Sequence, residues 1–176
     1  MLVEVYSDGS ATTGDKPGGF AFVICVGGVK VAEGSGHLQK ATNNVAEITA
    51  AIAGLEYVST HDLPGVGGES GVPEITLVSD SKLVLGYASG EYQCKAMHLL
   101  PLMLKLRKLY KNLSATTRWV RGHTGDEHNE RCDVLAKSAR ESDPNSVGGR
   151  EANSDDEVAS TSHDALRQAR HQATNS

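Results

Sequence analysis

Leu2-Val3-Glu4-Val5-Tyr6-Ser7-Asp8-Gly9-Ser10 is a short apolar, β-forming run that stops on an acid and a glycine. It reads as a buried strand over residues 2–7 with the Asp8 carboxylate at its end. An acid in that position is costly unless something pairs with it. The same arrangement returns at Val78-Ser79-Asp80-Ser81, where the run 74–79 ends on Asp80. Two further acids stand near the starts of helical patterns: Glu47 in Thr42-Asn43-Asn44-Val45-Ala46-Glu47, and Asp133 in Asn129-Glu130-Arg131-Cys132-Asp133. Carboxylates gathered at one place repel each other and raise one another's pKa unless a cation intervenes. Hard oxygen ligands of this kind favour magnesium or manganese over zinc.

Outward from these acids the chain alternates between strand and helix patterns. Residues 20–26 are rich in β-formers, and Gly27-Gly28 predicts a hairpin into a strand over 29–33. Thr42, Asn43 and Asn44 offer caps for a helix whose buried stripe is Val45, Ile48, Ile52 and Leu55, with Glu47 in its first turn. A Gly-rich loop over 61–73 ends that helix and leads to the strand at 74–79. Asp80-Ser81 caps a short helix over 82–89. A second helix is expected over 96–111, with Leu99, Leu102, Met103, Leu106 and Leu109 as its apolar face and Pro101 in its first turn or at a bend. Residues 115–121 read as a fifth strand, 122–129 as a loop, and 130–140 as a helix with Cys132, Leu135, Ala136 and Ala139 inward. The order βββαβα(α)βα predicts an α/β protein with a five-stranded mixed sheet flanked by helices.

The 176 residues suit one domain with a sizeable core. The formal net charge is −5, which does not advertise a nucleic-acid binder. Residues 141–176 hold seven acids and three bases, so −4 of that −5 belongs to them. Their Ser, Asn, Asp and Gly composition predicts a disordered polar tail after a catalytic domain over 1–140. Local positive patches are expected from Lys105, Arg107, Lys108 and Lys111, and from Arg118, Arg121 and Arg131; ordinary solvated charge explains the first set equally well. Cys25, Cys94 and Cys132 are widely spaced, which fits reduced thiols in the cytoplasm. No apolar run approaches about 20 residues and no basic leader opens the chain, so no membrane partner is expected.

Four segments in register resemble type 1 ribonuclease H: Ser7-Asp8-Gly9-Ser10, Thr42-Asn43-Asn44 with Glu47, Ser79-Asp80-Ser81, and Trp119-Val120-Arg121-Gly122-His123-Thr124-Gly125 continuing to Asn129-Glu130-Arg131-Cys132-Asp133. The resemblance spans roughly residues 1–140. It implies a monomeric endonuclease that cuts the RNA strand of an RNA–DNA hybrid, leaving 5′-phosphate and 3′-hydroxyl ends. It implies that Asp8, Glu47, Asp80 and Asp133 hold two Mg²⁺ ions about 4 Å apart, with Mn²⁺ as a substitute. One ion would activate water and the other would stabilise the departing 3′-oxygen. His123, between glycines, would assist proton transfer or product release. Gly9, Ser10, Thr42, Asn43, Asn44 and Asn129 are the implied substrate contacts. Gly9 would bring backbone close to metal and phosphate, Asn43 and Asn44 would read 2′-hydroxyls and base edges in a wide minor groove, and Thr42 would hold a DNA phosphate.

The chain departs from the family pattern in three places. Residues 90–96 run straight into the next helix, without the basic, Trp-containing handle of many bacterial members, so hybrid binding is expected to be weaker and more salt-sensitive. Lys82 stands where a Gln often reads the minor groove. Asp15 takes roughly the place of a substrate-facing Asn, a poor position for an acid near phosphate. Two alternatives follow: a nuclease of the same fold that also cuts double-stranded RNA, and an inactive hybrid-binding module.

Overall fold

A computed structural model describes residues 1–66 and 72–142 of the chain. The disordered tail expected over 141–176 lies, from residue 143 onward, outside the described residues. So do Gly67, Gly68 and Gly71 of the 61–73 loop.

The strands are β1 (Leu2–Ala11), β2 (Gly18–Val26), β3 (Val29–Leu38), β4 (Glu74–Ser79) and β5 (Thr116–Trp119). The helices are α1 (Asn43–Thr60), α2 (Lys82–Ser89), α3 (Leu100–Asn112) and α4 (Glu127–Glu141). They form one five-stranded sheet in the order β3-β2-β1-β4-β5. β1, β2 and β3 pair antiparallel, whereas β4 runs parallel to β1 and β5 parallel to β4. The mixed α/β sheet expected from the sequence is therefore the one observed. The β2–β3 turn is Gly27-Gly28, both at positive φ (57° and 80°), as a two-residue hairpin requires.

The larger core lies where α1 and α3 cover one face, around Val5, Ile24, Ile48, Leu55, Leu77 and Leu106. α4 covers the other face over a smaller cluster of Tyr6, Val23, Cys25, Val78 and Cys132. A helix on each side leaves the ends of β1 and β4 at one rim, and that rim carries the acids.

Several boundaries differ from those read off the sequence. β1 does not stop at residue 7. Its parallel pairing with β4 ends at Tyr6↔Val78, but its pairing with β2 continues through Asp8↔Ala21 to Ala11↔Gly18. Asp8 thus lies inside β1, just past the last parallel partner. Glu47 is not in the first turn of α1, because Thr42 is the N-cap and accepts the Val45 N–H at 3.2 Å. α4 starts at Glu127, three residues early, since Asp126 caps it by accepting the Asn129 N–H at 3.0 Å. Asn129 therefore sits in a helix and not in the preceding loop. β3 runs on to Leu38, and β5 is shorter than expected. The helix predicted over 96–111 is a 3-10 turn, Met97–Leu99, followed by α3 with Pro101 in its first turn.

Candidate active site

β1 delivers Asp8 to the rim with only 8% of its surface exposed. Its neighbour Gly9 has no room for a side chain: a Cβ there would lie 2.3 Å from the Glu47 backbone nitrogen. The glycine has a packing duty at this point. It lets α1 lie directly on β1, which brings Glu47 beside Asp8. Asp80 follows the last residue of β4, one strand away, and Asp133 projects from the second turn of α4 on the opposite face.

The charges of Asp80, Asp133 and Glu47 all reach the Asp8 carboxyl. Burial pushes the Asp8 carboxyl up to about 7, and the charges of Asp80, Asp133 and Glu47 push the same way against a 2.8 Å hydrogen bond from the Gly9 N–H. Burial also raises Glu47, with Asp80 adding to it, while hydrogen bonds from Ser81 and Asn43 oppose the rise. Those bonds fix the carboxylate: Ser81 Oγ donates to Oε2 at 2.6 Å and Asn43 Nδ2 donates to Oε1 at 2.7 Å. Lys137 Nζ lies 2.7 Å from Asp133 Oδ2. Trp119 Nε1 donates to the Asp80 carbonyl at 3.0 Å. Among the described residues, no three His, Cys, Asp or Glu side chains already stand as a closed metal cage. The donor set is nonetheless all carboxylate oxygen, and a divalent cation would relieve the repulsion at Asp8, so the residues fit a hard metal ion.

His123 lies on the exposed loop between β5 and α4 at φ 56°, a left-handed conformation for a non-glycine residue. Thr124 Oγ1 donates to the Arg121 carbonyl at 2.7 Å, and the Gly125 N–H donates to Glu130 Oε1 at 2.9 Å, pinning the loop. Gly122 passes so near Asp80 that an added Cβ would fall 2.7 Å from Oδ2. The loop therefore starts at the acid cluster, although the His123 ring makes no hydrogen bond to any of the four acids.

The residues nominated as substrate contacts divide sharply. Ser10 is buried and its Oγ accepts from Arg140 Nη1 at 3.0 Å. Thr42 is occupied as a cap and Asn43 by Glu47. Asn129 is 2% exposed, with an Oδ1 that has no partner, so its side chain is inside the protein and not on a surface loop. Asn43 and Asn44 are both exposed at the start of α1. The sequence reading missed Ser81, Trp119 and Lys137. Only Lys137 left a readable trace, its i,i+4 spacing from Asp133.

The expected positive patches are largely engaged elsewhere. Lys105 pairs with Glu56 at 2.6 Å, and Arg107 donates to the Tyr87 and Tyr92 carbonyls at 3.1 Å each. Arg118 pairs with Glu4, and Arg131 pairs with Glu33. Nearer the acids, the Lys82 ammonium sits 4.8 Å from the centre of the Trp119 ring. Among the described residues no helix is long and apolar enough to cross a membrane.

Compared with known proteins, residues 2–141 match the RNase H family model. The chain is 33% identical over 159 residues to the ribonuclease H of Lachnoclostridium phytofermentans, covering 79% of this chain and 92% of that one. It is 34% identical to the ribonuclease H of Syntrophus aciditrophicus, covering 78% and 79%. Among solved structures, RNase H1 from the archaeon Halobacterium salinarum superposes with a TM-score of 0.65 at 30% identity, covering 79% of this chain and 97% of that one. LC11-RNase H1, in a crystal structure with an RNA/DNA hybrid, gives 0.65 at 26% identity, covering 78% and 96%.

Proposed function

This chain belongs to the ribonuclease H family, as a type 1 member and an enzyme of that class, and we propose that it hydrolyses the RNA strand of RNA–DNA hybrids at the Asp8–Glu47–Asp80–Asp133 cluster, leaving 5′-phosphate and 3′-hydroxyl ends. The observation that carries this reading is the buried Asp8 carboxyl, pushed to about 7 by burial and by the three other acids. A structural acid is paired or exposed, whereas this one is crowded by its own kind. The hybrid-bound relative supports the substrate class.

Asp8, Glu47, Asp80 and Asp133 would hold divalent metal, Mg²⁺ in our reading, with Mn²⁺ able to replace it. When bound, metal supplies an activated water and positive charge against the charge that builds on a phosphodiester as it breaks. The chain's own residues do the rest. Asn43 and Ser81 hold both Glu47 oxygens in place. Trp119 ties the end of β5 to Asp80. His123, on the loop that starts beside Asp80, carries a proton on an imidazole nitrogen to the departing oxygen. Asn44, exposed beside Asn43, reads the 2′-hydroxyl side of the hybrid.

The test is cleavage of an end-labelled RNA–DNA hybrid beside RNA–RNA and DNA–DNA duplexes, in Mg²⁺ and in EDTA. Metal-dependent cuts confined to the RNA of the hybrid are expected. Equal cutting of double-stranded RNA would widen the substrate class. A shifted but uncut hybrid would replace the enzyme reading with a binding module.

A further inference from the structure

We propose that Lys137 is a tethered counter-cation of the acid cluster, which occupies the Asp133 carboxylate in the metal-free protein and sets how tightly divalent cations bind there. The inference rests on the reading that the four acids hold metal. Its basis is how each carboxylate is partnered. Asp8 has one backbone N–H. Glu47 has two neutral donors, Asn43 and Ser81. Asp133 has a full positive charge, the Lys137 ammonium at 2.7 Å. The other ion pairs among the described residues engage Glu4, Glu33, Glu56 and Glu141. Among the described residues, one cation thus pairs directly with an acid of the cluster, from the same helix as the acid it serves.

The pair is built to hold and to release. Asp133 and Lys137 are four residues apart on α4, with the acid nearer the N-terminus, the favourable orientation. The lysine side chain is 49% exposed, against 22% for the aspartate, so it can swing into water at small cost. Lys137 uses Oδ2 and leaves Oδ1 without a hydrogen bond in the structure. A metal ion arriving at Asp133 must displace the ammonium or bind beside it, and either event weakens its hold. Lysine suits this role because its charge is compact and its stem flexible, whereas arginine would grip a carboxylate in a planar fork.

Replacing Lys137 by Met or Gln removes the charge and keeps a good helix former. The two consequences have opposite signs. Without metal the variant melts below the wild type, because the cluster has lost its counter-cation. With metal it binds more tightly, by about three- to fivefold for an exposed pair of this kind, and its melting temperature rises further on saturation. K137R, which keeps the charge, binds metal no more tightly than the wild type. The gain shrinks as salt is raised, since the competing charge is exposed.

The experiment is calorimetric titration of Mn²⁺ into the full chain without substrate, for wild type, K137M, K137Q and K137R, beside thermal unfolding with and without Mn²⁺. Tighter binding in both neutral variants but not in K137R, with the lower metal-free melting temperature, supports the proposal. Unchanged or weaker binding in the neutral variants overturns it and leaves the metal reading standing. No Mn²⁺ binding by the wild type overturns both.

Discussion

Glu33 and Asp8 are both acids on the same sheet, and α4 serves both in opposite ways. Arg131 of α4 donates to Glu33 through Nη2 at 2.6 Å and Nε at 3.1 Å, and Lys30 adds a contact at 2.9 Å. That clamp holds the Glu33 carboxyl down at about 2. Two residues further on, the same helix presents Asp133, whose charge helps push Asp8 up to about 7. One acid is quieted by cations and fastens β3 to α4. The other is buried among acids and is destabilising until a cation arrives. The protein moves these two carboxyls in opposite directions, as the proposed function expects of a structural Glu33 and an active-site Asp8.

The largest break in this contrast comes from removing charge at the crowded end. Asp80→Asn should lower hybrid cleavage by at least about a thousandfold while the protein stays folded. A steady-state cleavage assay beside circular dichroism checks it, and near-normal turnover would remove Asp80 from the site.

Next in size is the pH dependence of the metal-free protein. A carboxyl raised in the folded state ionises first in the unfolded chain, so it costs nothing below its ordinary value near 4. The penalty grows as pH climbs to about 7 and is constant above. For Asp8 the full penalty is roughly 4 kcal/mol. Unfolding in EDTA should therefore show Asp8 lowering stability between pH 4 and 7, and millimolar Mg²⁺ should restore most of it near pH 8. A metal-free profile that rises over that window by several kcal/mol would contradict the burial of Asp8 among acids.

Glu33 gives the opposite sign. Its lowered carboxyl contributes stability above its ordinary value, lost as pH falls toward 2. Glu33→Gln should cost about 1 kcal/mol at pH 7, less in high salt, and leave cleavage within twofold. A large loss of cleavage would mean that the clamp also sets the active site. Smallest is Ser81→Ala, which removes the donor to Glu47 and the α2 cap to the Val84 N–H at 3.4 Å. A stability loss of about 1 kcal/mol with a few-fold drop in cleavage is expected, and unchanged kinetics would show that Glu47 needs no such support.

Much of this was legible in the sequence, because the fold-determining signals are local. Gly27-Gly28 turns where it should, Thr42 caps α1, and the apolar runs of β2 and β4 lie in the core. The features that escaped depend on distant partners. β1 runs past Asp8 because β2 continues to pair with it, and nothing in residues 2–11 announces that. The start of α4 was hidden because Asp126 lies in a polar stretch that reads as loop, which also misplaced Asn129 on the surface. The contacts of Ser10 with Arg140 and of Asn43 with Glu47 exist only once the chain has folded, so the sequence does not announce them. Asp8 and Asp80 stand out in the sequence for a physical reason: carboxylates at the ends of buried strands are expensive. Ser81, Trp119 and Lys137, which steady the acids, reveal their partners only in the folded chain.

The most direct test is Asp8→Asn compared with the wild type at pH 8, by thermal unfolding with and without Mg²⁺ and by hybrid cleavage in the same buffers. The expected variant is inert and, in EDTA, more stable than the wild type by up to about 4 kcal/mol, with little further gain from Mg²⁺. A variant that still cuts RNA, or that is less stable than the wild type in EDTA, would contradict a site built as a crowd of carboxylates awaiting a cation.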